Sequence, residues 1–331
     1  MAASKLLETV MTNPNCNFFL KMIARSSIAV LLVLSLGGCS GKSAATPTAA
    51  RTDSPTQPNP LQQEITSIAA LAKGHVGVSA VVLETGETVA SLNPQDHFPM
   101  QSVYKLPISM AVMKQVDAGK IKLEQKVKVA KEDYVGSAAH SPIRDKYPHG
   151  AELTVNDLLR FALSESDGTA SDVLMKLAGG PGAVQAFLAE LGIKDLIVLD
   201  TEQSFTQDHS LQYRNFATPG AAVALLRALY EHRGLRESSQ ALILKFMTES
   251  TPGPKRLKGL LPAGTIVAHK TGTSGTENGM TAATNDIGII TLPNGKHLAI
   301  AVFVSDSPAD EAMREGTIAK IAKAVWDSMN K

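Results

Sequence analysis

The sequence has no excess of charge of either sign. Its 331 residues include 32 Lys and Arg against 31 Asp and Glu. Proteins that bind nucleic acid need clustered basic side chains to neutralise phosphates, so this composition gives a nucleic-acid partner no electrostatic support. The hydrophobic fraction of 44% is ordinary for a globular protein and allows a large core.

Cysteine and metal-binding patterns are also scarce. The two cysteines, Cys16 and Cys39, both precede residue 40, so the chain after them has no disulfide and no thiolate metal site. The histidines form no His-x-His or His-x-x-x-His pair, and the glycine-rich stretch at 179–182 has neither a Walker lysine nor GxGxxG spacing. We therefore predict neither a metal nor a cofactor.

The N-terminal segment has the pattern of an export signal. Lys21 and Arg25 precede an apolar run at residues 28–36, which is too short to span a bilayer comfortably but suits a signal-peptide core. The Leu-Gly-Gly-Cys sequence ending at Cys39 resembles a bacterial lipobox, which implies cleavage before Cys39 and lipid attachment to its sulfur. We expect an exported, periplasmic protein anchored by that lipid; a buried helix with an incidental cysteine is the alternative.

Two segments are expected to lie outside the folded domain. Met22 would open a signal peptide of more usual length than Met1 does, so residues 1–21 are a candidate misassigned start. Residues 40–60 are rich in Ser, Thr, Ala and Pro and cannot bury enough apolar surface to offset their ordering entropy, which predicts a flexible tether. The remaining residues 61–331 fit one large domain, and the near-neutral charge favours a monomer.

Hydrophobic periodicity predicts strands at both ends of this domain and helices between them. Strands are predicted at 76–83, 88–92, 266–271, 286–292 and 297–304. Helices are predicted at 61–72, 105–118, 155–163, 169–177, 182–191, 219–231, 238–249 and 310–329. This order predicts an α+β fold, with an α/β lobe made of residues 61–98 and 250–331 and an inserted helical lobe at 99–249.

The sequence Ser102-Val-Tyr-Lys105 is the first pattern that points to chemistry. If Ser102 opens the following helix, Lys105 lies one turn later on the same face. A serine hydroxyl is a weak nucleophile that needs a base within hydrogen-bond reach, and neutral Lys105 could serve. The motif alone equally fits an N-cap serine and a solvated lysine.

Two further motifs complete a set. Ser166-Asp-Gly168 lies between two predicted helices and would by itself be a helix cap, while the Lys-Thr-Gly that starts at Lys270 would be a strand entering a turn. Three such motifs in this order, about sixty and then about a hundred residues apart, are typical of class A β-lactamases and penicillin-binding proteins.

Residues 61–331 resemble a class A serine β-lactamase throughout, and most closely the PER-type extended-spectrum branch. The likeness is densest at 98–105, 253–264 and 268–275, and residues 281–286 add to it. It implies an antiparallel five-stranded sheet flanked by helices, an inserted all-helical lobe and an active site between them. It also implies β-lactam resistance through hydrolysis of penicillins and cephalosporins, and Ser274 together with the PER-type likeness favours activity on oxyimino-cephalosporins.

The resemblance implies a role for each motif residue. Ser102 would be the acylated nucleophile and Lys105 its proton acceptor or relay. Ser166 would pass a proton to the lactam nitrogen beside Lys270, where a second cation would weaken the hold of Lys105 on its proton. The backbone N–H groups of Ser102 and Thr273 would form the oxyanion hole.

Other positions are implied in substrate binding. Thr271 and Thr273 would bind the substrate carboxylate, with Arg256 as an auxiliary anchor. A surface salt bridge is the alternative for Arg256. His140 would lie at the mouth of the cleft or in an exposed loop.

Hydrolysis of the acyl-enzyme requires a further group. Residues 200–206 resemble the Ω loop of the family, with Glu202 as the general base for the deacylating water; a solvated loop glutamate is the alternative. Without such a base, the same motifs would suit a D-Ala-D-Ala carboxypeptidase or a β-lactam-binding sensor, and both readings stay open on the sequence.

The sequence departs from the family pattern at three places. Gly168 replaces the usual asparagine, which changes how the substrate side chain is held. Thr206 replaces an asparagine that commonly helps to hold the hydrolytic water. Asp200 and Asn215 stand where an Arg–Asp ion pair is common, so we expect an Ω loop that is braced differently and is wider.

Overall fold

The structure, a computed structural model, describes residues 59–330, without the side chains of Thr206 and Gln207. The predicted signal, Cys39 and nearly all of the predicted tether lie outside the described residues. The tether prediction was too long by its last residues, because Asn59 caps the first helix and Pro60 opens it. Between residues 59 and 330 no helix is long and apolar enough to cross a membrane.

Strands and helices alternate in blocks along residues 59–330. The strands are β1 (His75–Val82), β2 (Thr88–Leu92), β3 (Phe98–Pro99), β4 (Lys126–Val129), β5 (Ala151–Thr154), β6 (Leu196–Ile197), β7 (Phe216–Ala217), β8 (Val267–Thr273), β9 (Thr276–Glu277), β10 (Met280–Thr291) and β11 (His297–Ser307). The α-helices are α1 (Pro60–Ala69), α2 (Lys105–Asp117), α3 (Pro142–Lys146), α4 (Val155–Ser164), α5 (Gly168–Ala178), α6 (Pro181–Glu190), α7 (Glu202–Gln207), α8 (Pro219–Tyr230), α9 (Glu237–Thr248) and α10 (Glu311–Ser328).

The main sheet joins the two ends of the folded domain. Its strands are antiparallel in the order β2-β1-β11-β10-β8, and the short β9 pairs with β10. In the β1–β11 pair, His75 lies opposite Ser305 and Val82 opposite Leu298. The predicted five-stranded antiparallel sheet is therefore confirmed, with β9 as a short addition.

Side-chain alternation along the strands divides the core into two layers. Val78 of β1 and Val302 of β11 pack in one cluster with residues of α1 and α10. Ala301 and Phe303 belong to the second cluster, together with residues of the helices between α2 and α9. The sheet is thus covered by helices on both faces.

Helix α2 is the central helix of the inserted region. Its residues from Lys105 to Met113 are all buried, and it packs against α4, α5, α6 and α9. Side-chain caps start several of the surrounding helices: Thr154 and Asp157 form a capping box at α4, and Thr218 caps α8. The N-terminal end of α2 is therefore buried among the surrounding helices.

Candidate active site

The turn that carries Ser102 is a single 3₁₀ turn, Gln101–Tyr104, and α2 begins only at Lys105. The expectation that Ser102 opens the α-helix itself was therefore off by one turn. Gln101 has a left-handed φ of 47°, a conformation that side-chain-bearing residues rarely adopt and that concentrates at functional sites. Ser102 faces a cavity of about 840 Å³.

The glycine of Lys-Thr-Gly allows β8 to approach this turn. A Cβ atom on Gly272 would lie 2.2 Å from the carbonyl oxygen of Met100, so no side chain fits there. Asn285, on the neighbouring strand β10, donates from Nδ2 to the carbonyl oxygens of Pro99 at 2.8 Å and Met100 at 3.2 Å. These contacts place β8 beside Ser102.

Lys105 connects three groups of the site. Its side chain is 1% exposed, and its Nζ atom donates to Ser102 Oγ at 2.7 Å and to the carbonyl oxygen of Ser166 at 2.8 Å. The same atom lies 2.8 Å from Glu202 Oε1, which is 3.5 Å from Ser102 Oγ. The Ser102 hydroxyl thus lies within reach of an amine and a carboxylate.

Within Ser-Asp-Gly the roles of the two polar side chains are separate. Asp167 caps α5 by accepting from the N–H of Ala170 at 2.7 Å, and it also accepts from the N–H of Ile143 at 2.6 Å. Ser166 has a left-handed φ of 58°, and its Oγ accepts from Lys270 Nζ at 2.9 Å. The cap prediction therefore holds for Asp167, while Ser166 faces the cavity.

Lys270 is fully buried, with 0% exposure. Burial lowers the pKa of Lys270 well below its usual value, and the nearby charge of Lys105 lowers it further. Its Nζ also donates to the carbonyl oxygen of Thr271 at 3.0 Å. Lys270 Nζ and Ser166 Oγ, 2.9 Å apart, are therefore within reach of proton transfer.

Glu202 is the first residue of α7, and the side chain of Asp172 holds it there. The two carboxylate oxygens of Asp172, on α5, accept from the backbone N–H groups of Glu202 and Gln203, each at 2.9 Å. Asp172 was not predicted from the sequence. An acidic residue in the otherwise apolar second turn of α5 was the only available signal, because its partners lie thirty residues away.

The ionisation of the two carboxylates differs. Burial would raise the pKa of Glu202, but the charge and hydrogen bond of Lys105 outweigh burial and lower it. Burial, and then the negative charge of Glu202, raise the pKa of Asp172 to about 7. Glu202 is therefore held in the ionised form that a general base needs.

The predicted substrate-binding residues divide into two groups. Thr271, Thr273 and Ser274 line the cavity. Arg256 lies behind them at 3% exposure, donating from Nη2 to Thr273 Oγ1 at 2.8 Å and pairing through Nε with Glu315 Oε1 at 3.0 Å. The surface salt bridge considered for Arg256 is therefore replaced by a buried pair, and Arg256 reaches the cavity only through Thr273.

The remaining predicted residues lie on the helical side. His140 lines the cavity, its Nε2 lies 2.9 Å from the carbonyl oxygen of Glu165, and its own carbonyl accepts from the N–H of Gly168 at 2.9 Å. A Cβ on Gly168 would approach Glu202 Cγ to 3.4 Å. Thr206 belongs to α7, but its side chain is outside the described part, so its contact with water stays a prediction.

The neck of the Ω loop is braced by an amide. Asn215 Oδ1 accepts from the N–H groups of Leu199 at 2.7 Å and Asp200 at 3.0 Å, and its Nδ2 donates to the carbonyl of Asp200 at 2.8 Å. The carboxylate of Asp200 pairs with Arg214 at 3.3 Å. As expected, residues 200 and 215 form no Arg–Asp ion pair and the loop neck is braced differently. An ion pair does form between Asp200 and Arg214, the residue before Asn215.

Neighbouring contacts hold the outer part of the same loop. Gln212 accepts from Gln101 at 2.6 Å, and His209 contacts Glu277 of β9. Among residues 59–330 no group of three or more His, Cys, Asp or Glu side chains is arranged to hold a metal ion. The groups that contact one another beside Ser102 are Lys105, Glu202 and Ser166, and Lys270 contacts Ser166 from behind.

Comparison with known proteins places this arrangement in a family. The model of the β-lactamase enzyme family matches residues 60–329, and the chain belongs to that family. The solved structure of a β-lactamase from Chitinophaga pinensis superposes with a TM-score of 0.80 at 45% identity, covering 82% of this chain and 100% of that one.

Two curated relatives from Pseudomonas aeruginosa narrow the class. Extended-spectrum β-lactamase PER-1 is 43% identical over 268 residues, which are 80% of this chain and 86% of that protein. β-Lactamase VEB-1 is 40% identical over 273 residues, 82% of this chain and 91% of that protein. Within the family, the chain is a class A β-lactamase, as its motifs predicted.

Proposed function

We propose that this enzyme opens the β-lactam ring of penicillins and cephalosporins through an acyl-enzyme on Ser102, and that water activated by Glu202 releases the product. One observation carries the proposal: Lys105 Nζ lies 2.7 Å from Ser102 Oγ and 2.8 Å from Glu202 Oε1. The nucleophile, its proton acceptor and the deacylating base thus share one contact network.

Acylation follows from these contacts. Ser102 Oγ attacks the lactam carbonyl carbon, and its proton passes to Lys105 or through Lys105 to Glu202. As the C–N bond breaks, Ser166 Oγ gives a proton to the lactam nitrogen and regains one from Lys270, 2.9 Å away. The proton taken from Ser102 then replaces the one that Lys270 gave up, so Glu202 is ionised again before deacylation. The backbone N–H groups of Ser102 and Thr273 stabilise the oxyanion.

Substrate orientation rests on β8. The hydroxyls of Thr271 and Thr273 bind the substrate carboxylate, which also gains from the positive charges behind the strand. Arg256 contributes by fixing the Thr273 hydroxyl at 2.8 Å. The ring carbonyl is then presented to Ser102 in a reactive geometry.

Deacylation depends on Glu202. Its carboxylate removes a proton from a water molecule, the water oxygen attacks the ester carbon, and the Ser102–acyl bond breaks with return of a proton to Ser102 Oγ. A non-hydrolytic sensor would not need an ionised glutamate 3.5 Å from the nucleophile. The match to the β-lactamase family favours β-lactams over the peptide substrate of a D-Ala-D-Ala carboxypeptidase.

The range of substrates is proposed to include oxyimino-cephalosporins, which would make the enzyme a determinant of β-lactam resistance. The relative PER-1 is named an extended-spectrum β-lactamase, and Ser274 lines the cavity next to Thr273. Steady-state kinetics with one penicillin and one oxyimino-cephalosporin test this range. Turnover of the penicillin alone would contradict it.

The site of action is proposed to be the periplasm, with a monomeric enzyme anchored by lipid on Cys39. The apolar run before Cys39 and the Leu-Gly-Gly-Cys sequence support this. Labelling of the full chain with radioactive palmitate is expected, and Cys39→Ala should abolish it. Equal labelling of the parent protein and of Cys39→Ala would contradict lipid attachment at Cys39.

Mass spectrometry of the intact protein tests the mechanism. Ser102→Ala should not be labelled by penicillin, whereas Glu202→Ala should be labelled and then persist as the acyl-enzyme. Hydrolysis of penicillin by Glu202→Ala at the parent rate would contradict the assignment of Glu202 as the deacylating base.

A further inference from the structure

The hydroxyl of Tyr104 is a polar group that the mechanism above does not use. Tyr104 is 0% exposed, and among the described residues its hydroxyl has no partner at hydrogen-bond geometry. The buried hydroxyl of Ser171 likewise has no partner at hydrogen-bond geometry among the described residues. Buried polar groups are almost always paired in folded proteins, so an exception beside an active site needs a cause.

Tyr104 is built into the contact between the nucleophile turn and the Ω loop. It directly precedes Lys105, and its ring packs edge-on against Phe205 of α7, with ring centroids 6.0 Å apart and an interplanar angle of 88°. Phe205 follows Glu202 by one helical turn. The phenol ring therefore extends from the start of α2 toward the region where α5 and α7 meet.

The phenol oxygen lies near the carboxylates of Glu202 and Asp172, and it is close enough to Glu202 and to the Ser171 hydroxyl to interact with both, although neither contact has full hydrogen-bond geometry. Burial raises the pKa of Tyr104 well above its usual value, and the negative charges of Glu202 and Asp172 raise it further. The phenol thus keeps its proton throughout the working pH range and is a permanent donor. Ser171, the neighbour of Asp172 on α5, faces the same oxygen.

The other groups that face Glu202 come from α2 and the 3₁₀ turn before it, from α5 and from β8. Lys105 of α2 and the Ser102 hydroxyl both contact Oε1, Asp172 of α5 binds the backbone, and the charge of Lys270 on β8 acts from farther away. Lys105 must give and accept protons during each cycle, so its support for the Glu202 carboxylate varies. Tyr104 does not titrate and supplies a constant donor.

We propose that Tyr104 is a positioning residue for deacylation: in the acyl-enzyme its hydroxyl turns to donate a hydrogen bond to the Glu202 carboxylate, and it keeps that carboxylate ionised and aimed after Lys105 has changed its protonation. The proposal rests on the assignment of Glu202 as the deacylating base. It concerns the hydrolysis of the acyl-enzyme and leaves the attack of Ser102 on the lactam unaffected.

The variant Tyr104→Phe isolates this hydroxyl, because it removes one oxygen atom and keeps the ring against Phe205. With a penicillin as substrate, we expect kcat to fall about tenfold, the size of one hydrogen bond to a charged group. The acyl-enzyme should accumulate in the intact-mass spectrum, while the acylation rate in the burst phase stays at the parent value.

The pH profile separates positioning from packing. Loss of a donor raises the pKa of Glu202, so the acidic limb of kcat should move to higher pH in Tyr104→Phe. Replacing Tyr104 with 3-fluorotyrosine, a stronger donor, should move it to lower pH. A purely structural role would not shift the limb in opposite directions for these two changes.

Ser109→Ala is the matched control, since Ser109 on α2 is also a buried hydroxyl without a partner among the described residues. Its kcat and pH profile should equal those of the parent. The proposal is overturned if Tyr104→Phe leaves acyl-enzyme levels and pH profile unchanged, or changes only the melting temperature. Parent-like turnover by Glu202→Ala would instead overturn the deacylation assignment itself.

Discussion

The backbone N–H of Glu202 donates to the carboxylate of Asp172 across 2.9 Å, and the next N–H, that of Gln203, donates to the other oxygen at the same distance. A side chain of α5 thereby satisfies two of the unpaired donors at the start of α7. Glu202, the proposed deacylating base, is positioned through its backbone by a residue thirty positions earlier in the chain.

Asp172→Asn is expected to disturb this support without removing bulk. An asparagine offers one acceptor oxygen, and its NH₂ group would face a backbone N–H. Deacylation should slow about tenfold, with a smaller effect on acylation. Burst-phase and steady-state kinetics measure the two steps separately. Asp133→Asn, which alters an acidic residue paired with Lys176 at the surface, should leave both rates unchanged.

The stability of the same variant should depend on pH in a defined direction. The pKa of Asp172 is about 7 in the folded protein, against an ordinary 3.8. Between these values the folded state binds more protons than the unfolded state, so this group lowers the free energy of unfolding as pH rises from about 4 to about 7. Asp172→Asn has no carboxyl group at this position, so its free energy of unfolding does not fall with pH for this reason.

Urea unfolding at pH 5 and pH 8 tests this sign. The parent should exceed Asp172→Asn in stability at pH 5, and the difference should shrink or reverse at pH 8. A difference that grows with pH would mean that the carboxylate is stabilised in its ionised form, with a folded pKa below that of the unfolded chain.

The sequence predicted the groups that react but not those that hold them. Ser102, Ser166 and Lys270 lie in short motifs whose order along the chain is informative by itself. Asp172 lies in no motif, and Tyr104 occupies an unspecified position of Ser-x-x-Lys, because their meaning depends on contacts of α5 and α7 with the turn before α2 that are distant in sequence. Local periodicity reports which face of a helix is apolar, and it contains no information on which loop will pack there.

Two structural differences have the same origin. The predicted strand at 286–292 begins six residues earlier, at Met280, because its Thr, Ala and Asn residues are buried by pairing with β8 and β11 and not by their own hydrophobicity. Arg256 would normally be placed at the surface from its charge. Its burial depends on Glu315 of α10 and on the carbonyls of β8 and β10, which supply its partners.

Arg256→Ala is expected to affect both stability and binding. It leaves Glu315 buried and unpaired, so the free energy of unfolding should fall by about 3 kcal/mol. It also removes the donor that fixes Thr273 Oγ1, so KM for a penicillin should rise more than kcat falls. Adding Glu315→Gln should restore part of the stability and none of the KM. Full recovery of KM in that double variant would show that Arg256 acts on the fold alone.

Gly272→Ala tests why β8 must carry glycine at this position. The added Cβ would lie 2.2 Å from the Met100 carbonyl oxygen, a backbone atom that cannot move without shifting the turn that carries Ser102. A displacement of about 1 Å between reacting groups can cost about a hundredfold in rate, so we expect penicillin to label the variant about a hundred times more slowly, as followed by intact-mass spectrometry.

Gly182→Ala is the matched control, because its Cβ meets nothing within 4 Å in α6 and alanine favours a helix. Penicillin should label this control variant at the parent rate. Parent-like labelling of Gly272→Ala would mean that the strand and the turn can separate without loss of the reactive geometry.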